Sequence, residues 1–327
     1  MNNAGKEAII VIDVQKCFLP GGSLATTNER NKNINSGALA RGINKFIQSK
    51  PSADIFITQD WHTPGHTSFA DPTKGEVPIV SRPELEGKRV NTERYATRNF
   101  NPEGERFWGD KAQRHAQALW PEHCVQGTEG AEVAEDVLKG LEGRKVEYIY
   151  KGDEATTDSY SAIADALGFF TPHLKDSNES FKDILVKGNY SKIYITGIAR
   201  DVCVFWTALD LLNYITLPNA KGGNMSPKVV YIYDLTRPVF GAAPAFNKTK
   251  EEIEAAVKQL MGNMGVDSSQ MSNIFEIMDS NTYAGGRRRK MKTRKNCWPK
   301  RSGGARKGTR KPKGHKPGCK CPICKRR

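Results

Sequence analysis

The sequence predicts an α/β fold, a three-layer Rossmann-like parallel sheet with helices on both faces. Three observations carry this prediction. Apolar, β-branched runs alternate along the chain with segments of helical periodicity. The runs are almost continuously apolar, which is typical of parallel strands buried on both faces. Polar side chains follow several of these runs directly, at the edge where open α/β sheets carry their chemistry.

The first half of this pattern begins with a strand over Glu7–Val14, followed by a Pro- and Gly-containing loop over Gln15–Ala25. Leu39, Ile43, Phe46 and Ile47 recur at helical spacing, so a helix is predicted over Ser36–Ser49. Strands follow at Asp54–Thr58 and Val146–Tyr150, with a helix over Ala131–Leu141 between them. The polar stretch Asp71–Ala116 is long for a loop and is predicted to cover the domain.

The second half repeats the alternation. Asp158–Ala162 is predicted to open a loop-to-helix segment, and Lys182–Lys187 a short helix. A strand over Ile193–Ile198 leads into a helix that begins near Cys203, with Val204, Ala208 and Leu211 on one face. The last elements are a strand at Val229–Tyr233, a helix at Lys250–Met261 and a strand at Asn273–Ile277.

Charge is distributed very unevenly along the 327 residues. The chain has a formal net charge of +14, but residues 285–327 contain nineteen Lys and Arg and no Asp or Glu. The remaining 284 residues carry a net charge of −5. We therefore predict a mildly acidic globular domain over residues 1–284 and a basic, disordered tail over residues 285–327.

Other features of the composition exclude several classes of protein. No apolar run approaches the 18 or so residues of a membrane span, and the polar N-terminus does not resemble a secretory signal. Seven unevenly spaced cysteines do not suggest a disulfide framework. An intracellular, reducing compartment and no membrane partner are the expectations from these features.

Three side chains able to take part in catalysis lie at or just after the carboxyl ends of three different predicted strands. They are Asp13, Lys151 and Cys203. A thiol at a helix start faces backbone N–H groups and the positive end of the helix dipole, which favour the thiolate. Each residue also has a structural interpretation: Asp13 could cap a turn, Lys151 could be a solvated surface charge, and Cys203 could pack the strand–helix joint.

A second cluster follows the Asp54–Thr58 strand. Asp60, His62 and His66 lie within seven residues, and His123 offers another imidazole later in the chain. Oxygen and nitrogen ligands of this kind suit Zn²⁺, Fe²⁺ or Mn²⁺. Because Asp-x-His is short and also occurs by chance, the cluster alone does not establish a metal site.

Taken together, these motifs resemble the nicotinamidases of the isochorismatase-like cysteine hydrolase superfamily. The resemblance runs from about Glu7 to Met278 and includes VIDVQ with the following GGSLA, TQDWH, LWPEHCVQGT, KG, YSA, GIARDVCV and DLTRP. GIARDVCV departs from the common form, in which threonine often stands in place of Arg200, and this departure affects the expected pocket rim.

The resemblance implies a complete site. Asp13, Lys151 and Cys203 would form the catalytic triad, and Asp60, His62 and His123 would bind one divalent metal (Zn, Fe or Mn), with His66 grouped among the metal residues. A cis peptide bond at Ile198–Ala199 would help form an oxyanion hole from the N–H groups of Ala199 and Cys203. Phe18, Trp120 and Tyr160 would contact the substrate, with Trp108 a further aromatic candidate.

The implied reaction is hydrolysis of nicotinamide to nicotinate and ammonia through a cysteine thioester, in NAD salvage. Two alternatives remain open. Relatives in the superfamily hydrolyse other small amides or carbamoyl groups with the same triad and no metal. The chain could also be an inactive scaffold that carries a nucleic-acid-binding tail.

The tail lies outside the resemblance. Its clustered basic residues are typical of nonspecific nucleic-acid contact or of a nuclear import signal. The protein is expected to be cytoplasmic, or nuclear if the tail is an import signal. A histidine and three cysteines near its end allow a small zinc knuckle with a second Zn²⁺, formed by His315, Cys319, Cys321 and Cys324.

Overall fold

A seven-stranded sheet forms the centre of the fold in the computed structural model, which describes residues 5–26, 36–74, 119–166, 170–217, 227–238 and 248–282. The strands are β1 (Glu7–Ile12), β2 (Asp54–Asp60), β3 (Val146–Lys151), β4 (His173–Leu174), β5 (Lys192–Ile198), β6 (Lys228–Arg237) and β7 (Phe275–Met278). Their spatial order is β4-β3-β2-β1-β5-β6-β7. Every neighbouring pair is parallel except β3–β4, so the predicted fold class is confirmed with one short antiparallel edge.

Helices connect these strands. They are α1 (Ser36–Gln48), α2 (Glu135–Leu138), α3 (Phe181–Gly188), α4 (Cys203–Leu211), α5 (Lys250–Asn263) and α6 (Met271–Ile274). Helix α1 packs with α2, and α4 packs with α5. The β1-α1-β2 crossover runs in the opposite direction to β5-α4-β6, so the right-handed rule puts the two groups on opposite faces of the sheet.

The middle of the sheet is the core of the domain. All of Ala8 to Ile12 in β1 are fully buried, and β5 is buried from Ile193 to Ile198. Since both faces are covered, almost every position of these strands can be apolar, which explains the continuous apolar runs in the sequence.

Two predicted helical segments are wrong in part. Between Ala131 and Leu141 only the four residues of α2 are α-helical, because the chain stays extended at Glu132 and Val133 forms a bridge with Gln15. Residues 158–162 form no helix. There the Ser159 hydroxyl donates to the Ser161 carbonyl over 2.8 Å, and such bonds compete with helical ones.

The order of the strands creates a switch point beside β1. From β1 the chain moves to β2 on one side, whereas β5 occupies the other side. Ligands of open α/β sheets bind in the crevice at the carboxyl ends of such strands. The carboxyl ends of β1, β2, β3 and β5 are therefore the place to examine for a site.

One buried carboxylate lies away from that edge, on α4. Burial raises the pKa of Asp210 from its ordinary value of 3.8 to about 7; Ser161 and Lys182 oppose this shift and Asp165 adds to it. Because the pKa is higher in the folded state than in the unfolded state, the fold favours the protonated form of Asp210. The contribution of this group to the free energy of unfolding is therefore complete below pH 3.8 and is lost as the pH rises through about 7.

Asp210→Asn should therefore become more stable relative to the wild type as the pH rises from 4 to 8, by up to about 4 kcal/mol. Urea unfolding at both pH values measures the difference. Asp183→Asn, which removes an exposed helical carboxylate, is the matched control. A constant difference between Asp210→Asn and the wild type at all pH values would contradict the prediction.

Several predictions lie outside the described residues. These are the covering stretch after residue 74 through Ala116, with Trp108, and the whole tail over 285–327, including the zinc knuckle of His315, Cys319, Cys321 and Cys324. None of the described helices combines the length and apolar character that crossing a membrane requires.

Candidate active site

The three side chains predicted to be catalytic meet at one edge of the sheet. Asp13 follows β1, Lys151 is the last residue of β3, and Cys203 is the first residue of α4 just after β5. Asp13 adopts φ 48°, a left-handed conformation that aspartate tolerates better than most residues. This turn ends the β1 ladder and brings the carboxylate into the crevice.

Lys151 lies at the centre of the cluster and contacts its other members. Its Nζ lies 2.9 Å from Asp13 Oδ2 and 3.6 Å from Cys203 Sγ, and it donates a hydrogen bond to Asp60 Oδ1. It also donates to the Ser159 carbonyl over 2.9 Å. The side chain is fully buried, so the interpretation of Lys151 as a solvated surface charge is wrong.

The charges in this cluster are set by burial and by Lys151. Burial alone would lower the pKa of Lys151, but the carboxylates of Asp13 and Asp60 hold it well above its usual value. Burial raises the pKa of Asp13 to about 6; Lys151 opposes this shift and Asp60 adds to it. The lysine is thus a cation at neutral pH, and Asp13 is a carboxylate poised to accept a proton.

The thiol behaves differently from the prediction. Burial raises the pKa of Cys203 well above its ordinary value, and Lys151 offsets this only in part. The prediction that the helix start favours the thiolate is therefore wrong for the resting protein. A neutral thiol needs a base, and a carboxylate oxygen of Asp13 lies within 4.8 Å of Cys203 Sγ.

A second cluster lies next to the first. Asp60, His62 and His123 are buried, and each offers a ligand atom within 4.8 Å of the others. The Nε2 atoms of His62 and His123 lie 3.8 and 3.9 Å from Asp60 Oδ2. Lys151 touches both Asp13 and Asp60, so the two clusters share one cation.

The surroundings of the two histidines prepare them to bind a metal. The Nδ1 atoms of His62 and His123 lie 2.7 Å from the carbonyls of Gly152 and Pro121, which fixes the proton on Nδ1 and leaves the Nε2 lone pair facing Asp60. Burial lowers the pKa of each imidazole to about 4, so both are neutral. Two imidazoles and one carboxylate fit a divalent ion such as Zn²⁺, Fe²⁺ or Mn²⁺.

Local backbone geometry supports this placement. Gly152 has φ +64°, and a β-carbon there would lie 2.6 Å from the His62 ring. A glycine is therefore required directly after Lys151, which explains the KG pair.

His66 is a neighbour of this set but does not belong to it. Its ring lies 4.4 Å from that of His62, yet Nδ1 contacts the Ser68 hydroxyl and Nε2 the carbonyls of Glu154 and Thr157. With both ring nitrogens engaged, His66 holds the loop before Asp158 instead of offering a ligand atom. The grouping of His66 with the metal residues is corrected accordingly.

Cys203 and the metal-ligand set of Asp60, His62 and His123 line one cavity, and the fully buried Asp13 and Lys151 adjoin them without lining it. The three predicted substrate-contacting aromatics line it, and Trp120 Nε1 donates to the Tyr160 hydroxyl over 2.9 Å. Phe18 packs 5.5 Å from the His123 ring. The wall also contains three residues to which the sequence analysis gave no role: Leu24, Asp158 and Val202. Leu24 and Val202 lie within the GGSLA and GIARDVCV motifs, which gave no sign that these two side chains face the cavity.

The cavity lining includes the predicted oxyanion residues. Ala199 and Cys203 both line it, and the peptide bond between Ile198 and Ala199 is cis, as the resemblance implied.

A disulfide joins two loops of the site. Cys17 and Cys124 are bonded, with Cα atoms 5.6 Å apart, and they precede Phe18 and follow His123. The number and spacing of the cysteines suggested no disulfide framework, so this pair was not predicted. Among the described residues Cys203 is the one free cysteine.

The chain is similar to nicotinamidases of known sequence and structure. It is 30% identical over 233 residues to the nicotinamidase of Acinetobacter baylyi, covering 69% of this chain and 86% of the relative. It is 27% identical over 255 residues to that of Saccharomyces cerevisiae, covering 76% and 96%. The solved structure of an Acinetobacter baumannii nicotinamidase/pyrazinamidase matches with a TM-score of 0.51 at 25% identity, covering 85% and 98%. No protein-family model matches.

The fold, the paired clusters and these similar enzymes identify the chain as an amidohydrolase. Within that class, the sequence similarity extends over most of each relative. The chain belongs to the nicotinamidase family.

Proposed function

We propose that this protein hydrolyses nicotinamide to nicotinate and ammonia through a thioester on Cys203. One observation carries the proposal: Lys151 contacts Asp13, Asp60 and Cys203 together, so the base Asp13 lies directly beside the cavity that the thiol and the metal-ligand set line. The names of the curated relatives support the choice of amide. The product nicotinate would enter NAD salvage.

The first half of the reaction forms the thioester. Asp13 accepts the Cys203 proton, and Sγ attacks the carboxamide carbon, whose oxygen gains negative charge. The backbone N–H groups of Ala199 and Cys203 stabilise that oxygen. Asp13 then returns the proton to the amide nitrogen, the C–N bond breaks and ammonia leaves.

The second half regenerates the thiol. Asp13 accepts a proton from water, the hydroxide attacks the thioester carbon, and the C–S bond breaks to release nicotinate. The proton on Asp13 returns to the sulfur. Throughout, Lys151 stays cationic, since the surrounding carboxylates raise its pKa, and it orients Asp13 and balances its charge.

The aromatic wall and the metal-ligand set select the substrate in this proposal. Phe18, Trp120 and Tyr160 offer faces and edges to a planar ring. Asp60, His62 and His123 would hold a divalent ion, and a bound ion supplies a Lewis acid that fixes a pyridine nitrogen. Because the attacking atom is the Cys203 sulfur, Cys203 and Asp13 carry out the cleavage of the amide C–N bond.

Substrate comparison tests the proposal. Ammonia release should be much faster with nicotinamide than with an N-carbamoyl amino acid or benzamide, which lacks the ring nitrogen. Preference for the carbamoyl compound would favour the metal-independent alternative. A purified, folded protein without turnover on any of them would favour the inactive scaffold.

Metal content gives a separate prediction. Residues 1–284 purified without chelator should contain about one divalent ion per chain, and His123→Ala should lose it, because two remaining ligands bind too weakly. Elemental analysis provides the measurement, and it also names the metal. His173→Ala, a histidine outside the ligand set, is the control. A metal-free truncated protein with full activity would refute the assignment.

For the tail we propose, from charge alone, nonspecific binding to DNA or RNA. Nineteen basic residues should make phosphate contacts, with a log–log salt slope of about −0.9 per phosphate neutralised on duplex DNA. Removing residues 285–327 should abolish binding and leave amide turnover nearly unchanged. Equal DNA binding by the truncated chain at matched salt would rule out this role.

A further inference from the structure

The backbone of the metal-ligand residue Asp60 is held by an unusual partner. Gln15 is fully buried, and its side-chain amide contacts both backbone groups of Asp60. Gln15 Oε1 accepts from the Asp60 N–H over 2.9 Å, and Gln15 Nε2 donates to the Asp60 carbonyl over 2.8 Å. The second Nε2 proton goes to the Ala131 carbonyl at 2.9 Å.

These three bonds fix the orientation of the amide. A backbone N–H can only donate and the two carbonyls can only accept, so a flipped Gln15 amide would lose all three bonds. Both donors and the acceptor of the side chain are used, which is what a fully buried amide requires.

The need for this arrangement follows from the sheet. On one side of Asp60, strand β3 pairs with β2 through Asp60 and Lys151. On the other side, the paired register of β1 and β2 runs only to Val11 and Ile57, and β1 ends before the turn at Asp13. The Gln15 amide supplies to Asp60 the two bonds that a continuing neighbouring strand would have made.

We infer that Gln15 is a positioning residue that sets the metal affinity of the Asp60–His62–His123 group. It fixes the backbone of Asp60, and through it the distance of Oδ2 from the two imidazoles. Gln15 lies two residues after Asp13, so it also couples the strand end that carries the base to the metal-ligand group. The inference depends on the metal site of the proposed function.

Gln59 offers a matched control. It is also buried, and its Nε2 donates to the same Ala131 carbonyl over 2.7 Å, but its side-chain amide does not bond the backbone of Asp60. Gln59→Met and Gln15→Met each remove one buried amide of the same size. Only Gln15→Met releases the Asp60 backbone.

The test is Zn²⁺ binding by the full chain and these variants, measured by competition with a chromogenic chelator and without substrate. Gln15→Met should weaken Zn²⁺ binding about 10- to 100-fold, as loss of an outer hydrogen-bond partner of a ligand commonly does. Gln59→Met should bind as the wild type does. Thermal unfolding of the metal-free proteins measures how much each substitution destabilises the fold.

Zn²⁺ affinity of Gln15→Met equal to that of the wild type would overturn the inference, and so would an equal loss in Gln59→Met. If Gln15→Met does not fold, Gln15→Glu replaces it, because it keeps the acceptor for the Asp60 N–H and loses the amide donors. Unchanged affinity in folded Gln15→Glu is also a refutation. Wild-type protein that binds Zn²⁺ but does not hydrolyse nicotinamide would refute the proposed function alone.

Discussion

Replacing Cys203 with alanine is expected to reduce nicotinamide hydrolysis by at least about 10³-fold, as loss of a catalytic nucleophile does elsewhere. Within the described residues, Cys203 is the one free thiol, and it lies 3.6 Å from Lys151 Nζ in the same cavity as the aromatic wall. Ammonia release under saturating nicotinamide measures the loss.

Two controls isolate the role of this sulfur. The variant should keep the circular dichroism and thermal unfolding of the wild type, because alanine removes only one buried atom. Cys297→Ala, which removes a tail cysteine, should keep full turnover. Retention of more than a few per cent of activity by folded Cys203→Ala would contradict the nucleophile assignment.

Asp13→Asn is expected to lower kcat by about 10²- to 10⁴-fold, the usual contribution of a general acid–base residue. Asparagine tolerates the φ of 48° at this position, so the turn after β1 is retained. The amide cannot accept the proton of a thiol whose pKa burial has raised. Steady-state kinetics on nicotinamide measures the effect.

The pH profile of the wild type is the companion measurement. Burial raises the pKa of Asp13 to about 6, with Lys151 opposing the shift, and only the ionised carboxylate accepts a proton. The value of kcat/KM should therefore fall as the pH decreases through about 6. A flat profile from pH 8 to 5, together with an active Asp13→Asn, would exclude Asp13 as the base.

The sheet could be predicted from the sequence because buried parallel strands leave a strong signal. β1 and β5 are continuous apolar runs, and the predicted strands lie within a few residues of the observed ones. β4 was missed because two residues, His173 and Leu174, carry no periodicity. The predicted helix at 131–141 was too long, because apolar residues such as Val133 are buried in a bridge with Gln15 and not on a helix face.

For the site, the sequence predicted which side chains come together at the strand ends, but it did not predict their burial or their hydrogen bonds. The strand-end rule brought Asp13, Lys151 and Cys203 together correctly. The state of the thiol depends on burial, which a local pattern does not contain. His66 could not be separated from His62 by spacing, since what excludes it is hydrogen bonding to Ser68, Glu154 and Thr157.

Contacts between residues that lie far apart in the sequence were the least predictable features. Cys17 and Cys124 are 107 residues apart, and the odd cysteine count concealed their pairing. The contact between Gln15 and Asp60 spans 45 residues and follows from the end of β1, which only the assembled sheet reveals.

The central claim is that Cys203 carries the acyl group during amide hydrolysis. The most direct test is rapid acid quenching of the enzyme during turnover of nicotinamide, followed by mass spectrometry of its peptides. We expect a nicotinoyl group on the peptide that contains Cys203, present during turnover and absent once nicotinamide is exhausted. An acyl group on another residue, or nicotinate formation at full rate with the Cys203 peptide unmodified at every quench time, would contradict the account.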